Sequence, residues 1–180
     1  MEVRTNSQVV EIRDLSVVLK DGTAYGFSYL VGADGYSSMV RRHLGLKMQK
    51  RLIGFHDWLN DRKIDPGDAR LESYPIAYDY RGVKFDNTFL VGEAAGLASG
   101  FTGEGIYQSL VSGQEVARMI LDPMHKTDKL DLVLKYNRVL ERVMALFRWA
   151  GPLRGALQES LVILMNKEWL RKKVNAQFSR

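Results

Sequence analysis

The chain contains no cysteine. Disulfides, thiolate catalysis, cysteine-ligated zinc and iron–sulfur clusters are therefore excluded. Its three histidines, His43, His56 and His125, are too far apart to show metal-ligand spacing. No stretch of roughly 18 or more apolar residues occurs, so no transmembrane helix is expected. The opening residues Met1-Glu2-Val3-Arg4-Thr5-Asn6 are polar and do not read as a signal peptide. A cytoplasmic location is expected on those grounds. A strand followed by a Gly-x-Gly-x-x-Gly turn and a helix, the dinucleotide fingerprint, is also missing.

What is present suits a globular domain. Of the 180 residues, 46% are apolar, enough for a real core. The formal net charge is +5, and Lys167, Arg171, Lys172, Lys173 and Arg180 crowd one end. Such an end reads first as a solvated helix face. No nucleic-acid motif accompanies it, so no nucleic-acid partner is expected. Peripheral contact with an anionic lipid surface stays open.

The runs Val9–Ile12 and Ser16–Leu19 have β character, with Arg13-Asp14-Leu15 as a turn between them. Asp21-Gly22 signals a hairpin. A third strand is expected from Ala24 to Val31, giving a three-stranded antiparallel meander over residues 8–32. Ser37 is the expected N-cap of a short helix, Ser38 to Leu44, which Gly45 stops. Residues 47–64 show a weaker helical pattern, broken by Pro66-Gly67. Residues 70–86 read as extended, and 88–92 as a buried strand. Apolar spacing predicts helices from Gly103 to about Leu121, over about 128–149 with Asp128 as a cap, and over about 153–176.

Two blocks stand out. Tyr29-Leu30-Val31-Gly32-Ala33-Asp34-Gly35 ends a strand in an Asp-Gly turn, and Ser37, Ser38, Val40 and Arg41 follow. Leu90-Val91-Gly92-Glu93-Ala94-Ala95-Gly96 ends another strand in a glycine and a carboxylate, and Thr102-Gly103-Glu104-Gly105-Ile106 then opens a helix. Glycine lets a backbone come close to a ligand. A helix N-terminus offers unpaired N–H groups and partial positive charge. A carboxylate accepts hydrogen bonds from sugar or polyol hydroxyls. Taken alone, Asp34-Gly35 is equally a plain strand-to-helix turn. Glu104 is equally an acidic residue favoured in a first helical turn. Arg41 and Arg42 read as solvated helix-surface arginines. Tyr74, Tyr78, Tyr80 and Trp58 read as packing aromatics.

In that order, the two blocks resemble the FAD-dependent oxidoreductases with the p-hydroxybenzoate hydroxylase-like fold, and within them the geranylgeranyl reductase family. The first block is similar to the family's Gly-Ala-Asp-Gly-x-x-Ser-x-Val-Arg signature. The second is similar to its Gly-Asp-Ala-Ala-Gly and Thr-Gly-Glu-Gly-Ile signatures. The likeness covers about residues 8–46 and 70–122.

The resemblance implies an α/β, Rossmann-like FAD-binding fold with an antiparallel meander and a helical C-terminus. Residues 1–122 would be a partial FAD-binding domain and 123–180 a helical segment. FAD contacts would fall on Asp34, Gly35, Gly92, Glu93, Gly103, Glu104, Gly105 and Ile106. The helix opening near Gly103 would stabilise negative charge on the flavin's pyrimidine edge by about 0.3–2 kcal/mol. The implied reaction is reduction of isoprenoid C=C bonds by reduced flavin. The electron donor would be NAD(P)H or a ferredoxin-type protein. The alternatives are an aromatic hydroxylase or halogenase of the same fold, or a non-catalytic chain without flavin.

Three departures from the pattern stand in the sequence. The family's Asp is Glu93, one methylene longer. A proline usual near position 100 is Gly100. The diphosphate-binding Gly-x-Gly-x-x-Gly unit and the family's large substrate-covering sheet are missing. The chain is therefore expected to be a C-terminal part or an internally deleted piece of such an enzyme, and activity of this chain by itself is an open expectation.

Overall fold

A computed structural model describes residues 2–49, 51–52, 63, 65, 75–100 and 102–149. The chain divides into two compact units, Met1–Asn137 and Arg138–Arg180. The first unit is a mixed α/β arrangement. The described part of the second is the end of one helix.

Three strands open the first unit: β1 (Val9–Arg13), β2 (Ser16–Leu19) and β3 (Ala24–Gly26). They pair antiparallel in the order β1-β2-β3. The hairpin between β2 and β3 turns at Gly22, whose φ of +87° suits glycine, and the Asp21 carboxylate accepts from Thr23 N at 2.9 Å.

The expected third strand, 24–31, is in fact two. After β3 the chain leaves the meander, and β4 (Leu30–Gly32) joins a different sheet. There β8 (Thr88–Leu90) lies between β4 and β7 (Lys84–Phe85), parallel to β4 and antiparallel to β7. The central position buries every residue of β8, as expected for a strand covered on both faces. Two short strands, β5 (Arg51–Leu52) and β6 (Ile76–Ala77), form a third, antiparallel pair.

Helix α1 (Met39–His43) follows β4. Its N-cap is Ser38, one residue later than expected, and the Ser38 hydroxyl accepts from Arg41 N at 2.9 Å. A 3-10 turn (Gly92–Ala95) follows β8, then α2 (Ile106–Leu121) and α3 (Asp128–Trp149). Helix α2 starts three residues after the expected Gly103, because Gly103 takes a φ of +73° that a helix does not admit. Asp128 sits in the first turn of α3, not before it: Thr127 O accepts from Asp131 N at 3.0 Å. The helical pattern expected over 47–64 falls almost wholly outside the described residues, which there show only β5. The helix expected over 153–176 also lies outside them.

The core gathers Phe89 and Leu90 of β8, Ala94 and Ala95 of the 3-10 turn, Leu97, Val116 of α2 and Leu130 of α3. Each large apolar side chain buried there stabilises the fold by roughly 1.5–3 kcal/mol.

Candidate functional site

Parallel pairing of β4 with β8 places Gly32 opposite Leu90. Both strands therefore end at the same edge of the sheet, and the turns beyond them, 33–37 and 91–96, leave it side by side. In open α/β sheets that edge is where ligands bind.

The first turn closes on α1. Gly32 has to be glycine: a Cβ there would lie 2.7 Å from Val40 Cβ and 2.9 Å from Leu90 Cδ2. Asp34 accepts from Met39 N at 2.6 Å and from Val40 N at 3.3 Å. Its carboxylate thus serves the first turn of α1. Gly35 adopts a φ of +68°, a left-handed conformation that leaves the turn free of side-chain bulk.

In the second turn, Gly92 serves packing. Its N–H donates to Ser112 Oγ at 2.9 Å, and a Cβ on it would lie 2.5 Å from Ser109 Oγ. This glycine lets the 3-10 turn seat on α2. Glu93 points the other way. Its Oε1 accepts from Ala77 N at 3.0 Å, tying the turn to β6, while Oε2 lies 3.9 Å from where a Gly35 Cβ would stand. One carboxylate oxygen therefore fastens the turn and the second faces the Asp34-Gly35 loop. Gly96 brings the backbone onto residue 79: a Cβ there would be 2.4 Å from Asp79 O.

Glu93 also borders an open cleft of about 410 Å³, with Ile76, Gly103, Gly105, Ile106 and Leu110 among its walls. Helix α2 begins here with Gly105 as its N-cap, and no side chain caps it. Ile106 and Leu110, one helical turn apart, present a bare apolar strip, being 82% and 64% exposed. The structure thus gathers Gly35, Glu93, Gly103, Gly105 and Ile106 about one edge. Asp34 lines a different pocket, with Gly32, Ser37 and Arg42, and its carboxylate serves α1. Glu104 is exposed and outside the cleft lining, and it precedes the first turn of α2. Its charge helps hold the Tyr136 hydroxyl above the usual phenol range, after burial as the larger cause.

Arg41 is buried in the fold. It is 2% exposed, so it is not the solvated helix-surface arginine expected. Nη1 donates to Ala94 O at 3.2 Å and Nη2 to Asp79 O at 2.8 Å, with the Asp79 carboxylate 3.5 Å away. Burial pushes its proton affinity down, and the Asp79 charge opposes that shift. Nothing local in Met39-Val40-Arg41-Arg42 distinguishes the buried arginine from its exposed neighbour. Its partners come from two later segments, Asp79 and Ala94.

No protein-family model matches the chain. A dialkyldecalin synthase from Streptomyces rugosporus is 32% identical over 76 residues, which are 40% of this chain and 16% of that protein. Among solved structures, PqsL from Pseudomonas aeruginosa, described as a probable FAD-dependent monooxygenase, superposes with a TM-score of 0.51 at 15% identity. The alignment covers 84% of this chain and 64% of PqsL. The chain has the α/β fold of that FAD-dependent protein. It spans less than two thirds of either relative. In this chain the β4 turn, the β8 turn and the opening of α2 meet at Glu93.

Proposed function

We propose that this chain forms the flavin-contacting part of an FAD-dependent oxidoreductase. The observation that supports it best is the parallel β4–β8 pairing, which sets the Asp34-Gly35 turn, Glu93 and the uncapped start of α2 along one rim. A cleft of about 410 Å³ falls in the range of small-molecule sites. It suits the ring and polyol end of FAD. The sequence has no Gly-x-Gly-x-x-Gly turn for the diphosphate, so the fit extends to the flavin end only.

In this reading FAD supplies the hydride and electron chemistry when bound. The protein residues bind and orient. Glu93 Oε2 accepts from a polyol hydroxyl. The open glycines at 35 and 103 admit the ligand close to the backbone. The N–H groups opening α2 favour negative charge at the edge they face. Ile106 and Leu110, exposed on the border of the cleft, suit an apolar substrate that would cover them. The flavin-contacting part would be residues 1–122, with 123–180 as a helical addition.

The finer reading is a geranylgeranyl reductase-like activity, reduction of isoprenoid C=C bonds, favoured by Thr102-Gly103-Glu104-Gly105-Ile106. An oxygen-using hydroxylase is the second reading, favoured by the fold shared with PqsL. A folded chain that holds no flavin is the third. Absorbance of the purified protein after incubation with FAD and gel filtration tests the proposal. Retained flavin bands support it, and a folded, colourless protein overturns it. Oxygen uptake after reduction then separates hydroxylase from reductase.

A further inference from the structure

The two turns at the rim belong to segments about 60 residues apart in sequence, and one buried side chain ties the first of them to the second. Arg41 lies two residues beyond the α1 amide that Asp34 caps, and its guanidinium reaches Ala94 O in the 3-10 turn and Asp79 O behind it. Asp79 is itself fixed. Its Oδ2 accepts from Gln49 N at 3.0 Å, its Oδ1 pairs with Arg81 Nε at 3.2 Å, and Gly96 packs on its backbone. Glu93 is fastened to the same stretch through Ala77 N. Chain 76–81 is thus an anchor gripped by Arg41 from the α1 side and by Glu93 from the other.

We propose that Arg41 is the positioning residue that sets the separation of the Gly35 and Glu93 turns, and so the fit of a polyol chain between them. This rests on the flavin reading above. The chemistry favours arginine alone. Two carbonyls from different segments are held by the two terminal nitrogens of one planar fork. A lysine keeps the charge but offers a single point of attachment, so it cannot hold both carbonyls in one fixed spacing. The structure also keeps this arginine although its buried Nε has no partner among the described residues. A residue serving only to fill space there would be apolar.

The test compares Arg41→Lys with Val133→Ala. Val133 is buried on α3 and outside the core cluster that holds Ala94, so it reports a plain loss of stability. Each protein is titrated with FAD by flavin fluorescence, melted thermally, and followed by amide hydrogen exchange over residues 33–40 and 92–97. A positioning role predicts at least tenfold weaker FAD binding for Arg41→Lys than for the parent. It also predicts faster exchange in both turns together, with affinity and turn exchange unchanged in Val133→Ala. If affinity follows melting temperature alike in the two variants, or if Arg41→Lys leaves the exchange of both turns unchanged, the proposal is overturned. Should the parent chain take up no FAD while Arg41→Lys loosens both turns, the coupling stands and the flavin reading falls.

Discussion

Two carboxylates mark the two motifs, and they do different work. Asp34 accepts from two amides opening α1, so Asp34→Ala should lose about 0.5–2 kcal/mol of stability, the usual worth of such a cap. Asp34→Asn, which keeps an acceptor, should melt close to the parent. Glu93 divides its oxygens between Ala77 N and the rim. Glu93→Gln retains an acceptor for the Ala77 amide but loses the charge, so melting should hold while FAD affinity falls about tenfold, a loss near that of one hydrogen bond to a charged group. Equal affinity in titrations of the two proteins would remove Glu93 from the site. Tyr80 carries the pH prediction. Burial first, then the Asp131 charge, raises its hydroxyl pKa. The folded chain therefore holds this proton where the unfolded chain releases it, near pH 10, and stability is lost as pH rises through that range. Urea melts across alkaline pH should show a smaller loss for Tyr80→Phe. At this scale the motif residues were legible because two glycine–carboxylate pairs, Asp34-Gly35 and Gly92-Glu93, each close a β-type run and stand in the order of one family's signatures. Arg41 was not, since its burial depends on Asp79 and Ala94, which are distant in sequence.

Among the elements, the 3-10 turn and α2 meet at Gly92 and Ser109. Gly92 combines a φ of +56° with a Cβ position 2.5 Å from Ser109 Oγ. Gly92→Ala should cost about 1–3 kcal/mol through backbone strain alone, and more through the overlap. Adding Ser109→Ala removes the overlapping oxygen and should recover part of the loss, measured as a double-mutant cycle by denaturant melts. Full additivity would contradict the packing role. Helix α3 was readable in the sequence because apolar spacing persists over its 22 residues. The split of 24–31 into β3 and β4 was not. Leu30 pairs with Thr88, and no local pattern says which sheet a β-type residue will join. The start of α2 was placed early because Gly103 and Gly105 look like helix openers, and only the dihedral at Gly103 excludes it from the helix.

The whole molecule offers a rim built from two sequence-distant turns and a helix start, on a fold shared with an FAD-dependent protein. The expectation of a flavin comes from the resemblance carried by the two motif blocks, Gly32–Gly35 and Gly92–Ile106. Among the described residues no cluster suited to a metal ion occurs, and no helix is long and apolar enough to cross a membrane. The order of the two motifs foreshadowed the fold, because each closes a strand and both strands end at one edge. The substrate was not foreshadowed, since Ile106 and Leu110 specify an apolar border and nothing finer. The proposed role of this rim is to hold a flavin. Titrating the purified chain with FAD while following flavin fluorescence tests it most directly. Saturable uptake of one flavin per chain is expected, weakened about tenfold by Glu93→Gln. A folded chain whose addition leaves the fluorescence of FAD unaltered at every concentration would contradict it.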